Sequence, residues 1–170
     1  MSKKNKGGAK TMPMRALDEK RIPYEVHQQT SRQFTAEGVA EDLGVPVAQV
    51  VKAMLVQRST TPGGGSNPFV LFVIPGDRRL SLKKVGAALG DKKVQLASQR
   101  DVERVTGFQV GAVSVLGFRW EDVPGFVDQS VLELEQAIIS AGRPDTGLAL
   151  VPADMLRAIA GSQVGDFCED

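Results

Sequence analysis

Two short apolar runs separated by a glycine-rich break constrain this chain more than any other feature. Residues 50–56 read VVKAMLV and residues 69–74 read FVLFVI, both rich in branched or aromatic side chains and both of strand length. Between them lies RSTTPGGGSNP, residues 58–68, whose glycine, proline and hydroxyl content predicts a mobile hairpin loop. The second run carries no polar side chain at all, which predicts a strand buried on both faces. Such a hairpin needs material packed on either side of it. A chain of 170 residues, 42% hydrophobic, is long enough to supply one sizeable core and fits a single domain.

The surrounding segments alternate irregularly between helix and strand signals. Pro13 suits the first turn of a helix over residues 12–21, with Met14 and Leu17 on one face. Residues 24–27 read as extended. Thr35, Ser81 and Ser98 are N-cap candidates for helices over 36–43, 82–89 and 99–105, stopped at Gly44, Gly90 and Gly107. Further strands are expected at 93–97, 126–128, 132–134, 137–140 and 148–151, and Pro152 opens a last helix to residue 160. Several strand pairs lie too close for helical crossovers. The predicted class is therefore α+β, a single domain with a mixed, mostly antiparallel sheet surrounded by helices. Residues 1–10, MSKKNKGGAK, form a basic flexible tail ahead of a domain over 11–170.

Composition removes whole classes of chemistry. The chain has one cysteine, Cys168, and one histidine, His27, so disulfide frameworks, cysteine zinc sites and multi-histidine centres lack ligands. No metal or cofactor is expected. Lys and Arg number 21 against 20 Asp and Glu, a formal charge of +1, which argues against a DNA coater or a protein held to membranes by charge. No segment approaches the roughly 18 apolar residues of a membrane span, and no signal-like apolar stretch follows the basic start. A cytoplasmic protein is expected. A grip on a small piece of nucleic acid stays open.

Within that frame, Lys52 is the most informative residue. Alternation places Val50, Lys52, Met54 and Val56 on one face of the first strand and Val51, Ala53 and Leu55 on the other. Both faces are apolar, so the ammonium either lines a cavity or snorkels to water from an edge strand. The stretch TGFQVGAVSVLG, residues 106–117, sets Gly107 and Gly111 four apart with Ala112 and Ser114 beyond. It reads either as a ligand-binding loop presenting backbone amides or as an ordinary turn with bulges. Asp128 ends an apolar pair, where it can orient Lys52 or a ribose hydroxyl, or cap a turn. Asp77-Arg78-Arg79 has turn character with its charges in solvent, and Trp120 either stacks on a base or closes the core.

The ordered set IPYEVH (22–27), VVKAMLV (50–56), LSLKKVGAALGDKKVQLA (80–97), TGFQVGAVSVLG (106–117), VD (127–128), SAG (140–142) and LVPADML (150–156) resembles the YbaK/EbsC family of prolyl-tRNA editing proteins. It is most similar to the YbaK-type branch, and the resemblance runs from about residue 12 onward. It implies removal of a wrongly attached amino acid, cysteine in that branch, from the 3′ end of tRNA(Pro). Lys52 matches the family's essential lysine. Gly107, Gly111, Ala112 and Ser114 match its glycine-rich pocket segment, Asp128 a pocket aspartate, Phe34 a pocket aromatic, and Gly142 lies in the matching SAG. The resemblance also implies that the cysteinyl thiol attacks its own ester and leaves as a cyclic thiolactone. A chain so poor in bases and nucleophiles suits that chemistry, its own part being positioning and oxyanion stabilisation. Two departures stand out: Val115 replaces the proline after the serine, and Gln29 replaces an aromatic two residues beyond His27. They bring in two alternatives, a nucleotide or tRNA-end binding module and an Ala- or Ser-specific deacylase. With so little net charge, weak binding of free tRNA is expected, and hence help from a partner, prolyl-tRNA synthetase. The sequence carries no signal for oligomeric state.

Overall fold

The computed structural model describes residues 9–30, 35–61, 65 and 67–170. In chain order the first elements are α1 (Met12–Glu19), β1 (Glu25–Gln28), α2 (Ala36–Leu43), β2 (Lys52–Gln57), β3 (Phe69–Ile74) and α3 (Leu82–Leu89). They continue with β4 (Gln95–Leu96), α4 (Gln99–Thr106), β5 (Gly125–Asp128), β6 (Ala137–Arg143), β7 (Thr146–Leu150), α5 (Pro152–Ala158) and β8 (Gln163–Gly165). Three helices start where a hydroxyl oxygen supplies the acceptor that first-turn amides lack. Thr35 accepts from the Gly38 amide at 3.0 Å, Ser81 from Lys84 at 3.2 Å and Ser98 from Asp101 at 3.1 Å.

Strands β2 and β3 form the expected antiparallel hairpin, in register from Lys52 opposite Ile74 to Gln57 opposite Phe69. Residues 62–64 and 66 of its loop, the first eight residues of the tail, and Phe34 lie outside the described residues. The hairpin sits in a five-stranded sheet of order β4-β2-β3-β5-β8, in which β3, β5 and β8 run parallel. A second, wholly antiparallel sheet has the order β1-β7-β6. The expected mixed, mostly antiparallel architecture is present, its strands divided between these two sheets. They meet at a seam where the Val51 amide donates to the Ile138 carbonyl at 3.1 Å beside a parallel bridge between Val50 and Ile138.

The alternation of β2 decides where the core divides. Val51 and Leu55 face a large cluster that takes Leu71 and Val73 from one sheet and Ile139 and Leu148 from the other. Met54 and Val56 face a smaller cluster with Val70, Phe72, Phe126 and Phe167. There Phe72 stacks on Phe126 with centroids 5.0 Å apart, and Phe167 meets both rings edge-on.

Two predicted elements differ. Residues 132–134 are not a strand, because Asp128 turns the chain into a 3-10 segment, Gln129–Glu133, by accepting from the Ser130 amide at 3.1 Å. Strand β8 was not expected, since Gln-Val-Gly has no apolar periodicity and is fixed by pairing with β5. Among the described residues, no helix is long and apolar enough to cross a membrane.

Candidate functional site

The seam between the sheets opens into a cavity of about 310 Å³. Its walls are β2 from Lys52 to Leu55, the start of α2, Ala97 ahead of α4 and Val102 within it, Gly111 and Val113 of the glycine-rich segment, and Ser140, Arg143, Thr146 and Gly147 about the β6–β7 turn. Most of these liners are apolar. Among the described residues, two of the liners are ionisable, Lys52 and Arg143, both basic, and no aspartate or glutamate lines the cavity. An anionic or electron-rich ligand is what such a wall attracts, and the apolar surroundings strengthen the attraction.

Lys52 reaches the cavity because of where it sits in the sheet. Strand β4 pairs only with Val56 and Gln57, which leaves the Lys52 half of β2 uncovered on that side. Its Nζ donates to the Arg78 carbonyl at 2.7 Å. That carbonyl is fixed by the turn in which the Arg78 amide donates to the Pro75 carbonyl at 3.2 Å. The Arg78 guanidinium does not stand free in solvent as the sequence suggested. It donates to the Glu169 carbonyl at 3.2 Å and lies 4.0 Å from the Asp128 carboxylate.

Asp128 is 1% exposed and does not line the cavity. Its carboxylate accepts from the Phe167 amide at 2.8 Å and from the amide and hydroxyl of Ser130. Burial pushes its carboxyl up, but those donors outweigh burial and hold it below the usual range. Its contact with Lys52 therefore runs through one residue, Arg78. Beside it Cys168 is buried, and burial together with the Asp128 charge raises its thiol to about 12, far from a nucleophile at neutral pH.

The glycine-rich segment is tied to β6 around Ser140, which lines the cavity. The Ser140 hydroxyl donates to the Ala112 carbonyl at 3.0 Å and accepts from the Gly142 amide at 3.0 Å, while the buried Ser114 hydroxyl donates to the Ser140 carbonyl. Gly142 has a φ of +90°, and a β-carbon there would come within 2.8 Å of the Phe108 ring. Ala112, Ser114 and Gly142 thus hold the wall from behind, and Gly111 forms part of it. Gly107 is elsewhere: it ends α4, its amide donating to the Glu103 carbonyl at 2.9 Å, and it borders a shallower depression with Arg104 and Arg119.

Of the residues read from the sequence, Lys52 and Gly111 are brought together in the cavity. Ser140 was seen only within SAG, and Arg143 and Thr146 were missed, because Gly142, Pro144, Asp145 and Gly147 mark a turn without saying which cavity its side chains line. Trp120 packs edge-on against Phe69 at 5.7 Å with the Arg104 guanidinium over its ring at 5.0 Å, so it closes the core. His27 lies 3.8 Å from Glu25 and does not line the cavity.

A single-domain mixed α/β fold with a cavity at the seam of its two sheets, lined among the described residues by Lys52 and Arg143 and by no carboxylate, sets the class of the chain. Residues 30–158 match the model of the aminoacyl-tRNA editing domain, and the chain belongs to that family. It is 31% identical over 98% of its length to EbsC of Enterococcus faecalis, a protein assigned as a Cys-tRNA(Pro)/Cys-tRNA(Cys) deacylase, and covers 96% of it. It is 30% identical to the proline–tRNA ligase of Desulforamulus reducens over 82% of this chain, spanning 23% of that enzyme. A solved structure assigned as a trans-editing enzyme for prolyl-tRNA synthetase superposes with a TM-score of 0.78 at 25% identity, covering 94% of this chain and 96% of that one.

Proposed function

We propose that the chain is a free-standing deacylase that removes a wrongly attached amino acid, cysteine foremost, from the 3′ end of tRNA(Pro). The observation that carries this reading is the cavity whose ionisable liners, among the described residues, are Lys52 and Arg143. A 3′-aminoacyl-adenosine presents an ester, ribose oxygens and a nearby phosphate, which is the complement of two cations set in apolar walls. The names of EbsC and of the proline–tRNA ligases agree with that substrate and with prolyl-tRNA synthetase as partner, in the cytoplasm where tRNA is charged.

Lys52 is the proposed catalytic residue. Its ammonium, oriented by the Arg78 carbonyl, stabilises negative charge as it develops on the ester oxygen. Gly111 and Ser140 shape the wall against the acyl group, with Ala112, Ser114 and Gly142 fixing them. Gly107 holds the α4 end from which the segment departs, and Asp128 positions Arg78. The cysteinyl thiol attacks its own carbonyl carbon, the C–S bond forms as the ester C–O bond breaks, and the thiol proton ends on the released ribose hydroxyl. The protein then contributes orientation and electrostatics, with no nucleophile of its own.

The test is release of amino acid from Cys-, Ala- and Ser-tRNA(Pro) by wild type and by Lys52→Ala. Loss of cysteine release by at least a hundredfold, with an unchanged circular dichroism spectrum, supports the assignment. Equal rates in the two proteins would sink it. A second reading, a binding module without turnover, is favoured by Val115 after Ser114 and by Gln29, which lines the cavity in place of an aromatic. Retained tRNA binding with no release from any of the three would establish it.

A further inference from the structure

Strand β2 loses its outer partners at one residue. The Arg58 amide donates across the hairpin to the Pro68 carbonyl at 2.8 Å, so even-numbered residues of β2 bond to β3. Odd-numbered ones turn both N–H and C=O away from it. Leu55 uses that outward side toward β4, its carbonyl accepting from the Ala97 amide at 2.9 Å, and Val51 uses it toward β6, its amide donating to the Ile138 carbonyl. Ala53 lies between them. The β4 register, Val56 opposite Leu96 and Gln57 opposite Gln95, leads on to residue 99 opposite Ala53, but Ser98 caps α4 there and the chain leaves the sheet. The β6 register leads on to the Ser140 carbonyl, but that oxygen accepts from the Ser114 hydroxyl, and β6 is irregular between Ser140 and Arg143. Ala53 lines the cavity and is partly exposed, and among the described residues no group bonds to its outward amide or carbonyl.

We infer that Ala53 receives the esterified amino acid by its main chain: the Ala53 N–H donates to the acyl carbonyl oxygen, and the Ala53 carbonyl accepts from the α-amino group. This rests on the deacylase reading above. An N–H and a C=O side by side on a strand edge are what a residue of a neighbouring strand pairs with. An aminoacyl group is one such residue, with its amino nitrogen and its carbonyl on adjacent carbons. The ionisable liners among the described residues, Lys52 and Arg143, are both basic, so an α-ammonium meets no carboxylate there and needs a carbonyl as its acceptor. A phosphate is the wrong occupant, because the Ala53 oxygen would face its charge. Ala53 directly follows the lysine assigned to the ester, which brings the acyl group rather than the base to this edge. Such pairing touches no side-chain atom of the amino acid, so it holds cysteinyl, seryl and alanyl esters alike. The amide is then a fixed donor for the oxygen that gains charge when the carbonyl carbon is attacked.

The test is NMR on the full wild-type chain with hydrolysis-resistant 3′-cysteinylamino-3′-deoxyadenosine, its 3-mercaptopropionyl counterpart, which lacks only the amino group, and adenosine as the unacylated control. In the free protein the Ala53 amide is expected to exchange with solvent about a hundredfold faster than the Met54 and Val56 amides, which β3 holds. At saturation the cysteinyl compound is expected to slow that exchange about tenfold and to shift the Ala53 carbonyl carbon resonance. The mercaptopropionyl compound is expected to bind about tenfold more weakly and to leave that resonance in place. An Ala53 amide as protected in the free protein as its neighbours would overturn the inference. So would equal binding of the two acyl compounds, or a cysteinyl complex in which the Ala53 signals stay where they were. An equal Ala53 response to adenosine would give the edge to the base and also overturn it. If the compounds bind without touching Ala53, this inference alone fails; if none binds, the deacylase reading fails with it.

Discussion

Asp128 and Lys52 do not touch, yet Arg78 joins them: its carbonyl accepts from the lysine and its guanidinium lies beside the aspartate. Three protein donors converge on the Asp128 carboxylate, from Ser130 and Phe167, so its removal orphans buried groups rather than a surface charge. Asp128→Ala is expected to lower stability to urea by about 3 kcal/mol. The pH dependence has a definite sign. A carboxyl held below its usual range adds stability above its unfolded pKa of about 3.9, and that stability is lost as pH falls through the lower folded value. Asp128→Asn should therefore flatten the acid limb of the stability curve below about pH 4, read by urea midpoints across pH.

At the scale of elements, single contacts lock segments into place. The Asp91 carboxylate accepts from the Ser59 amide at 2.8 Å, the Ser59 hydroxyl at 2.6 Å and the Lys93 amide at 2.9 Å, pinning the start of the β2–β3 loop to the end of α3. Those bonds, the Ser59 hydroxyl first, hold its carboxyl at about 2. A carbon-detected titration should place its midpoint there, and the Ser59 amide should lose its protection from exchange only as that carboxyl is protonated. Gly142→Ala meets both a positive φ and the Phe108 ring, and is expected to destabilise by about 2 kcal/mol in thermal unfolding. Much at this scale was legible in the sequence. Thr35, Ser81 and Ser98 marked the N-caps of helices that begin at residues 36, 82 and 99 as expected, because caps act through neighbours in the chain. Strand β8 and the placing of Arg143 on the cavity wall were not legible, because each depends on segments distant in sequence, β5 in one case and β2 and α2 in the other. Lys52 stood out because it breaks an apolar pattern. Arg143 interrupts no such pattern and so left no trace.

For the whole molecule, the seam decides cooperativity. The larger core draws residues from both sheets, with Val51 and Leu71 against Ile139 and Leu148, so parting them would open that core and leave only the smaller aromatic cluster on the five-stranded sheet. Heat unfolding followed by far-ultraviolet dichroism and by Trp120 fluorescence should give coincident single transitions, and separated midpoints would contradict this. A formal charge of +1 offers few counterions to release, so binding of tRNA alone should be weak. Removing residues 1–10 should lower the salt slope of that binding further, measured by fluorescence anisotropy between 50 and 200 mM salt, about the range over which such slopes are read. The bond that orients Lys52 ends on a peptide oxygen at position 78, and every amino acid brings the same oxygen. Codon changes there can alter the link to Asp128 but leave the lysine's acceptor in place. The reactive group is thus moored to the path of the chain rather than to its spelling, and descendants of this sequence can drift at that position without losing it.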